Sequence, residues 1–179
     1  MSYLRPLAAS ALVLGFSGTA ALADLTADQV WQDWTTYLED FGYRVTADES
    51  RSGDTLTIRD LAMEMALPEA EGAVSMRLGQ MELVENGDGT VSVVLPEILP
   101  IAIAASDDEA QQVTMTLEMT HQALEMIVSG TPEAMQYSYD AEAFTMALTD
   151  LQAGEETPEI RAAQVRLENL SGTSRTAIG

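Results

Sequence analysis

Methionine is the residue type in this chain whose side chain most directly suggests chemistry, because thioether sulfur binds soft metal ions such as Cu(I). Nine methionines follow residue 23, and Met63 and Met65 place two sulfur atoms on one face of a predicted strand. The others are spread along further predicted strands instead of clustering beside a histidine. Because methionine is flexible and fills irregular apolar gaps, the pattern favours core packing or an apolar groove over a metal site.

Catalytic groups are sparse. His121 is the only histidine, and no serine lies in the glycine pattern of a nucleophile elbow. A solvent-facing or hydrogen-bonded structural histidine beside a strand end is therefore favoured. The chain has 29 Asp and Glu residues, so paired carboxylates arise by chance and none is singled out for acid–base catalysis. We predict a protein that is not an enzyme and carries no cofactor.

Two acidic turns, Asn86–Gly89 and Ser106–Glu109, raise the question of calcium. Neither has the ligand spacing of a calcium loop with its closing glutamate. The first lies between alternating stretches, where its Asn-Gly-Asp-Gly sequence is typical of a hairpin turn. We predict turns and no metal site.

The stretch VTMTLEMT, residues 113–120, alternates strictly between apolar and polar side chains and predicts an internal strand with one apolar face. Similar alternation recurs along most of the chain. We predict a common apolar face that forms either the core or a ligand surface, formed by Met63, Met65, Met76, Val113, Met115, Leu117, Met119, Met126 and Met146.

One amphipathic helix is predicted after residue 25. Thr26 and Gln29 form a capping box, and Gly42 is suited to the position just past the C-terminus. The polar face is acidic, which disfavours a membrane-surface helix. We predict that the helix docks on the sheet through Trp31, Trp34, Leu38 and Phe41.

From Tyr43 onward, strands of period two are separated by short turns, which is typical of an antiparallel meander. The apolar phase shifts at Gly79-Gln80, as at a bulge or bend. Residues 158–168 fit a strand, which we favour, or a helix. The predicted fold is mostly β (α+β): an N-terminal amphipathic helix packed on a long, curved antiparallel β-meander, forming one domain over residues 24–179 that is a candidate part of a longer sheet.

A weak sequence repeat, which we call the echo, occurs in three of the predicted strands. LTIRDL (56–61), FTMALTDL (144–151) and VRLENL (165–170) each place an acid or amide before a leucine at the close of an alternating stretch. Repeated hairpins of one sheet would produce this pattern.

Residues 1–23 have the three parts of a secretory signal peptide: Arg5, an apolar run, and the small-x-small site Ala21-Leu22-Ala23. The apolar run is too short and too interrupted for a transmembrane span. We predict a cleaved signal and a periplasmic protein whose mature chain begins near Asp24.

Composition excludes several partners. The chain has no cysteine and no lysine, and its net charge is −21. Loss of residues 1–23 removes Arg5 and no acid, which makes the charge −22. So acidic a protein is not expected to bind nucleic acid or anionic lipid headgroups.

The stretches ADLTADQVWQDWTTYLEDFGYRV and ESRSGDTLTIRDLAMEM, together with the signal and the meander, resemble an exported alphaproteobacterial family catalogued only as a domain of unknown function. The resemblance covers nearly the whole chain as the amino-terminal part of longer members, and it implies no activity or site residue. The sheet pattern is also loosely similar to AsmA-type envelope proteins, which are linked to lipid handling.

Two functions are favoured at this point, and a hydrolase that uses an unrecognised carboxylate pair is a third, less favoured class. The first is a non-enzymatic envelope protein that binds a lipid-like apolar ligand on its sheet face. The second is a structural or protein-interaction module with a closed core and an envelope protein as its partner. The first function requires an apolar face larger than one helix can cover, whereas the second requires a face that the helix covers completely.

Overall fold

The computed structural model describes residues 24–67, 72–106, 112–153 and 163–177. These residues form one helix and one antiparallel sheet, so the predicted fold class is confirmed. The elements are α1 (Ala27–Asp40), β1 (Arg44–Ser52), β2 (Thr55–Leu67), β3 (Gly72–Leu78), β4 (Met81–Glu85), β5 (Val91–Val94), β6 (Ile98–Ser106), β7 (Gln112–Gln122), β8 (Glu125–Thr131), β9 (Ala134–Ala153) and β10 (Gln164–Ala177). In this part of the chain no helix combines the length and apolarity required to cross a bilayer.

The sheet is an up-and-down meander in which three long strands are each interrupted once. β2 pairs with β4 along its first half and with β3 along its second half, so β3 and β4 act as one broken strand. β5 and β6 form the next broken strand, followed by β7 and β8. β9 pairs with both β7 and β8, and β10 lies outside β9.

The interruptions form a line across the sheet, which we call the kink line. It passes Asp60 in β2, the gaps at 79–80, 95–97 and 123–124, and Asn169 in β10. Asp60, Ala123 and Asn169 have φ angles of 51°, 50° and 52°. Such left-handed residues allow a strand to change its side-chain alternation. Leu56, Ile58, Leu61 and Met63 are accordingly all buried although Asp60 shifts their spacing.

The irregular positions of the sheet explain two features of the sequence. The predicted bend at Gly79-Gln80 is confirmed as the gap between β3 and β4. The repeated acid or amide before leucine marks Asp60 and Asn169, two of the left-handed residues, and Asp150, where the pairing of β7 with β9 changes register. The echo therefore marks left-handed residues in β2 and β10 and a register shift in β9, and our interpretation of it as repeated hairpins stays a prediction. Asp and Asn are suited to these positions because they tolerate φ > 0 better than other residues with side chains.

Helix α1 begins and ends as its sequence predicts. The Thr26 hydroxyl accepts a hydrogen bond from the Gln29 backbone N–H at 3.3 Å, and the Gln29 side chain accepts one from the Thr26 N–H at 3.0 Å. Gly42 has φ 91°, the left-handed conformation expected just past a helix C-terminus. The capping box therefore fixes the start of the helix, and glycine fixes its end.

The core lies between α1 and one half of the sheet. Its fully buried side chains include Leu25 and Val30 on the helix side and Ile58, Leu83 and Val91 on the sheet side. This half contains the first part of β2 together with β4, β5, β8 and the start of β9. We call it the covered half, and the part of the sheet beyond the kink line the open half.

Several predicted features lie partly or wholly outside the described residues. These are the signal peptide at 1–23, most of the acidic turn at 106–109, and residues 158–162 of the ambiguous segment. Residues 164–168 belong to β10, so this part of the segment is strand, as we favoured.

Candidate functional site

The open half of the sheet presents an apolar face four rows deep. Direct cross-strand partners share one face of a sheet, so the pairings define each row. Met63 contributes to the core under α1, which places all four rows on the side of the sheet where the helix docks. The rows are Met63, Met76, Ile103, Met115 and Leu151; Met65, Val74, Ala105, Val113 and Ala153; Leu78, Ile101, Leu117 and Leu148; and Leu99, Met119, Met146 and Val165.

Eight of the nine residues predicted to share an apolar face lie in these rows. Met126 is the exception: it belongs to the covered half and packs against the core. Met63 and Met76 connect the halves, since Met63 is part of the core and Met76 packs against it. The predicted face is therefore real, but it divides into a part that the helix covers and a part beyond the helix.

Beyond Leu99 and Met119, which lie beside the kink line and are buried, the open half is less buried than the core. Met115, Leu117 and Met146 are half-buried, and Val113 is 39% exposed. A helix of 14 residues is about 21 Å long, whereas the 20 residues of β9 extend roughly 66 Å. One helix therefore cannot cover the whole apolar face, and the described residues supply no second layer over the open half.

Sequence analysis predicted four docking residues on α1, and three of them dock. Trp31 is 6% exposed, and Trp34 and Leu38 pack against the core. The prediction for Phe41 was wrong, since this side chain is 62% exposed. Phe41 is the C-cap residue, where the helix ends, and its ring lies 4.7 Å from that of Tyr37 on the outer surface.

The docked helix is also held by aromatic hydrogen bonds. The Trp34 indole N–H donates to the Tyr137 hydroxyl at 3.0 Å, and that hydroxyl donates to Asp33 Oδ2 at 3.1 Å. Burial of Tyr137 raises the pKa of its phenol to about 12. The phenol therefore stays protonated at neutral pH and keeps its donor role, which orients the helix on β9.

A second polar cluster fastens the start of the helix. Glu85 Oε1 accepts from the Ala27 backbone N–H at 2.9 Å and from Arg51 at 2.7 Å, and Arg51 also contacts Asp28 at 2.6 Å. Arg51 holds the pKa of Glu85 below its usual value, with a smaller contribution from Ala27. Sequence reasoning missed this cluster because its partners are far apart in the chain and no local spacing connects them.

His121 lies at the kink line beside a cleft of about 760 Å3. Its Nε2 is 3.0 Å from the Pro96 carbonyl oxygen, which supports the predicted hydrogen-bonded histidine. Its Nδ1 is buried without a hydrogen-bond partner. The cleft also contains the charged side chains of Glu97, Glu142 and Arg166, and no serine or threonine accompanies His121 in a triad arrangement among the hydrogen bonds of the described residues.

The acidic turn at 86–89 is a hairpin turn, as predicted. The Asn86 backbone N–H bonds to the Thr90 carbonyl at 3.0 Å, and Gly87 and Gly89 have φ angles of 73° and 84°. Asp88 Oδ1 accepts from both the hydroxyl and the backbone N–H of Thr90, and these bonds lower its pKa. Within the described ranges, no three His, Asp or Glu side chains are grouped to hold a metal ion.

Comparison with known proteins gave no match: no family model, no curated protein and no solved structure is significantly similar to this chain. The resemblance to the exported family and the similarity to AsmA-type proteins therefore stay predictions.

Proposed function

We propose that the chain is an exported, non-enzymatic envelope protein that holds a lipid-like apolar ligand against the open half of its sheet. The supporting observation is the four-row apolar face, which continues from the core past the end of the helix. Half-buried methionines along this face suit a ligand surface, because their side chains adapt to irregular acyl chains.

The size of the ligand follows from energetics. A sixteen-carbon chain gains about 13 kcal/mol when fully buried and about half of that on a flat face. Association costs at least about 4 kcal/mol. A single acyl chain on a flat sheet would therefore bind weakly, and a ligand with two or more chains is favoured. Because the protein is strongly acidic, a zwitterionic or neutral headgroup fits better than an anionic one.

Ile98 and Ile101 provide a matched pair for the test. Ile101 pairs with Leu117 on the open apolar face, whereas Ile98 pairs with Thr120 and points to the other side of the same strand. The chain, with Ile101→Ser and Ile98→Ser as variants, is incubated with phosphatidylethanolamine vesicles and re-isolated without detergent. Native mass spectrometry and organic extraction then measure bound lipid.

We expect lipid at defined stoichiometry on the wild-type chain and on Ile98→Ser, and its loss from Ile101→Ser. A mass without lipid on a cooperatively folded wild-type chain would reject the ligand proposal. Equal lipid on both variants would show that the lipid lies elsewhere.

Export is tested separately from ligand binding. Cleavage of the proposed signal predicts an intact mass that begins at Asp24 for protein recovered from the periplasm. A chain that retains Met1 and stays in the cytoplasm would contradict the proposed location.

A structural or protein-interaction module is the second candidate function. It is favoured by the closed core of the covered half, where Val30, Ile58, Leu83 and Val91 have no exposed surface. An envelope protein, in place of a lipid, would then cover the open half.

A further inference from the structure

The methionines of this chain are concentrated in the open half of the sheet. Six of the nine that follow residue 23 lie in the four apolar rows: Met63, Met65, Met76, Met115, Met119 and Met146. The largest fully buried side chains of the described core are instead leucine, isoleucine and valine, with Met135 as the one methionine. Methionine forms strands less readily than β-branched residues do, so strand propensity does not explain this distribution.

Burial divides the methionines of the open half into two groups. Met63 and Met119 are buried, whereas Met65, Met115 and Met146 are half-buried. Met119 and Met146 are direct partners across β7 and β9, so two methionines of one row and one face differ in their access to solvent. A small oxidant in solution therefore reaches the sulfur of Met146 more readily than that of its neighbour.

Thioether sulfur is the group in this chain that a peroxide attacks most readily, since the sequence has no cysteine. In this reaction the sulfur lone pair takes one oxygen atom from hydrogen peroxide. The O–O bond breaks, an S–O bond forms, and water leaves. The sulfur is oxidised to the sulfoxide and the peroxide is reduced, so the step needs no other reactant. Methionine sulfoxide reductases reverse the change.

We propose that Met115 and Met146 form a reversible oxidation site on the open half, with a peroxide as the oxidant. Both lie on the central strands of the open face, Met115 on β7 and Met146 on β9. A sulfoxide is polar, and contact with apolar surface leaves its oxygen without a hydrogen bond. Oxidation at these two positions therefore interrupts the apolar face in its middle.

The oxidation site regulates the surface that the proposed ligand occupies. A chain with sulfoxides at Met115 and Met146 loses its affinity for an apolar ligand, and reduction of the sulfoxides restores it. This consequence rests on the proposed function, whereas the order in which the methionines oxidise depends only on their burial. The core supplies references for that order, because Met81 and Met135 are buried in the covered half.

The first measurement compares the oxidation rates of individual methionines in the full chain without lipid. The protein is treated with hydrogen peroxide for increasing times, and tandem mass spectrometry of its peptides follows the gain of oxygen at each methionine. We expect Met115 and Met146 to oxidise at least about tenfold faster than Met81, Met119 and Met135, because access to the sulfur controls the rate. In urea the difference should disappear, since unfolding exposes every methionine.

The second measurement uses a double variant, Met115→Leu with Met146→Leu, as the matched control. Leucine conserves volume and apolar character and has no sulfur to oxidise. Wild-type chain and variant are oxidised, freed of peroxide, and incubated with phosphatidylethanolamine vesicles, and bound lipid is measured by native mass spectrometry. We expect the oxidised wild-type chain to lose its lipid and the variant to keep it. Treatment with methionine sulfoxide reductases should restore lipid to the wild-type chain.

The outcomes separate the oxidation site from the proposed function. Equal oxidation rates for Met146 and Met119 in the folded chain would overturn the site. Undiminished lipid on a wild-type chain oxidised at Met115 and Met146 would overturn its control of the open half. A chain that binds no lipid before oxidation rejects the proposed function instead, and the rate comparison still tests the site.

Discussion

At the scale of single residues, the contribution of an aromatic side chain of α1 to stability depends on its burial. The helical spacing predicts this burial for Trp31 and fails for Phe41 at the end of the helix. Trp31 and Phe41 share the predicted stripe, yet Trp31 is 6% exposed and Phe41 is 62% exposed. The difference arises because Phe41 is the C-cap at the end of the helix, where its ring packs on Tyr37 at the outer surface.

Trp31→Ala and Phe41→Ala should therefore have very different effects on stability. Removing a buried tryptophan costs about 3–5 kcal/mol, whereas an exposed substitution changes stability by about 0.5 kcal/mol or less. Urea unfolding followed by circular dichroism measures both free energies. Similar losses for the two variants would contradict the orientation of the helix described above.

Glu85 predicts a specific dependence of stability on pH. Arg51 and the Ala27 N–H lower its pKa in the folded chain below the usual 4.5. Such a carboxylate stabilises the fold above its unfolded pKa, and this contribution is lost as pH falls through the folded pKa. We expect Glu85→Gln to be less stable than the wild-type chain at pH 7, with a difference that shrinks below about pH 4.5.

Urea titrations between neutral and acidic pH provide the measurement. Glu133→Gln, at an exposed carboxylate in the turn between β8 and β9, is the control. A difference for Glu85→Gln that stays constant down the pH range would show that the Arg51 contact does not act through ionisation.

At the scale of elements, the kink line is the feature that organises the sheet. It interrupts three long strands and passes through left-handed residues in β2, in β10 and at the break between β7 and β8, yet apolar side chains stay on one face across it. Backbone strain is concentrated there, because a residue with a side chain is disfavoured in the left-handed region by about 1–2 kcal/mol.

Ala123→Gly should relieve this strain and stabilise the chain by about 1 kcal/mol, since glycine adopts φ 50° without a Cβ clash. Ala102→Gly, in the regular strand β6, should instead destabilise it by about 0.5–1 kcal/mol. Thermal and urea unfolding of both variants give the comparison. Destabilisation by both variants to the same extent would argue against a strained kink at Ala123.

At the scale of the whole molecule, the covered and open halves differ in how firmly their apolar side chains are packed. Leu83 in the covered half has no exposed surface, whereas Leu117 in the open half is half-buried. Stability is therefore expected to come mainly from the covered half, which leaves the open half free to accept a ligand or partner.

The same substitution in the two halves tests this division. Leu83→Ala should cost about 2–5 kcal/mol, as for a fully buried leucine. Leu117→Ala should cost less than Leu83→Ala in the absence of ligand, because Leu117 is only partly buried and part of its transfer free energy is already absent. The free energy of unfolding of each variant is the measurement. A larger loss for Leu117→Ala than for Leu83→Ala would mean that the open half is covered.

Local patterns in the chain were enough to predict the elements and the apolar face. The capping box at Thr26 and Gln29, the strand alternation through Val113–Met119, and the turn at 86–89 all depend on local interactions, which are readable over a few neighbouring residues. The helix, the meander and most of the predicted face are therefore as expected. The echo before leucine was visible as well, but its coincidence with left-handed residues and with a register shift was not.

The part of that face that the helix covers follows only from how the helix packs on the sheet. Strand pairing brings Met63, Met76, Ile103, Met115 and Leu151 into one row, although they are distant in the chain. The same is true of the contact between Trp34 and Tyr137 and of the bridge from Arg51 to Glu85. The physical reason is that register and docking depend on long-range packing, and no local spacing encodes which apolar residues meet.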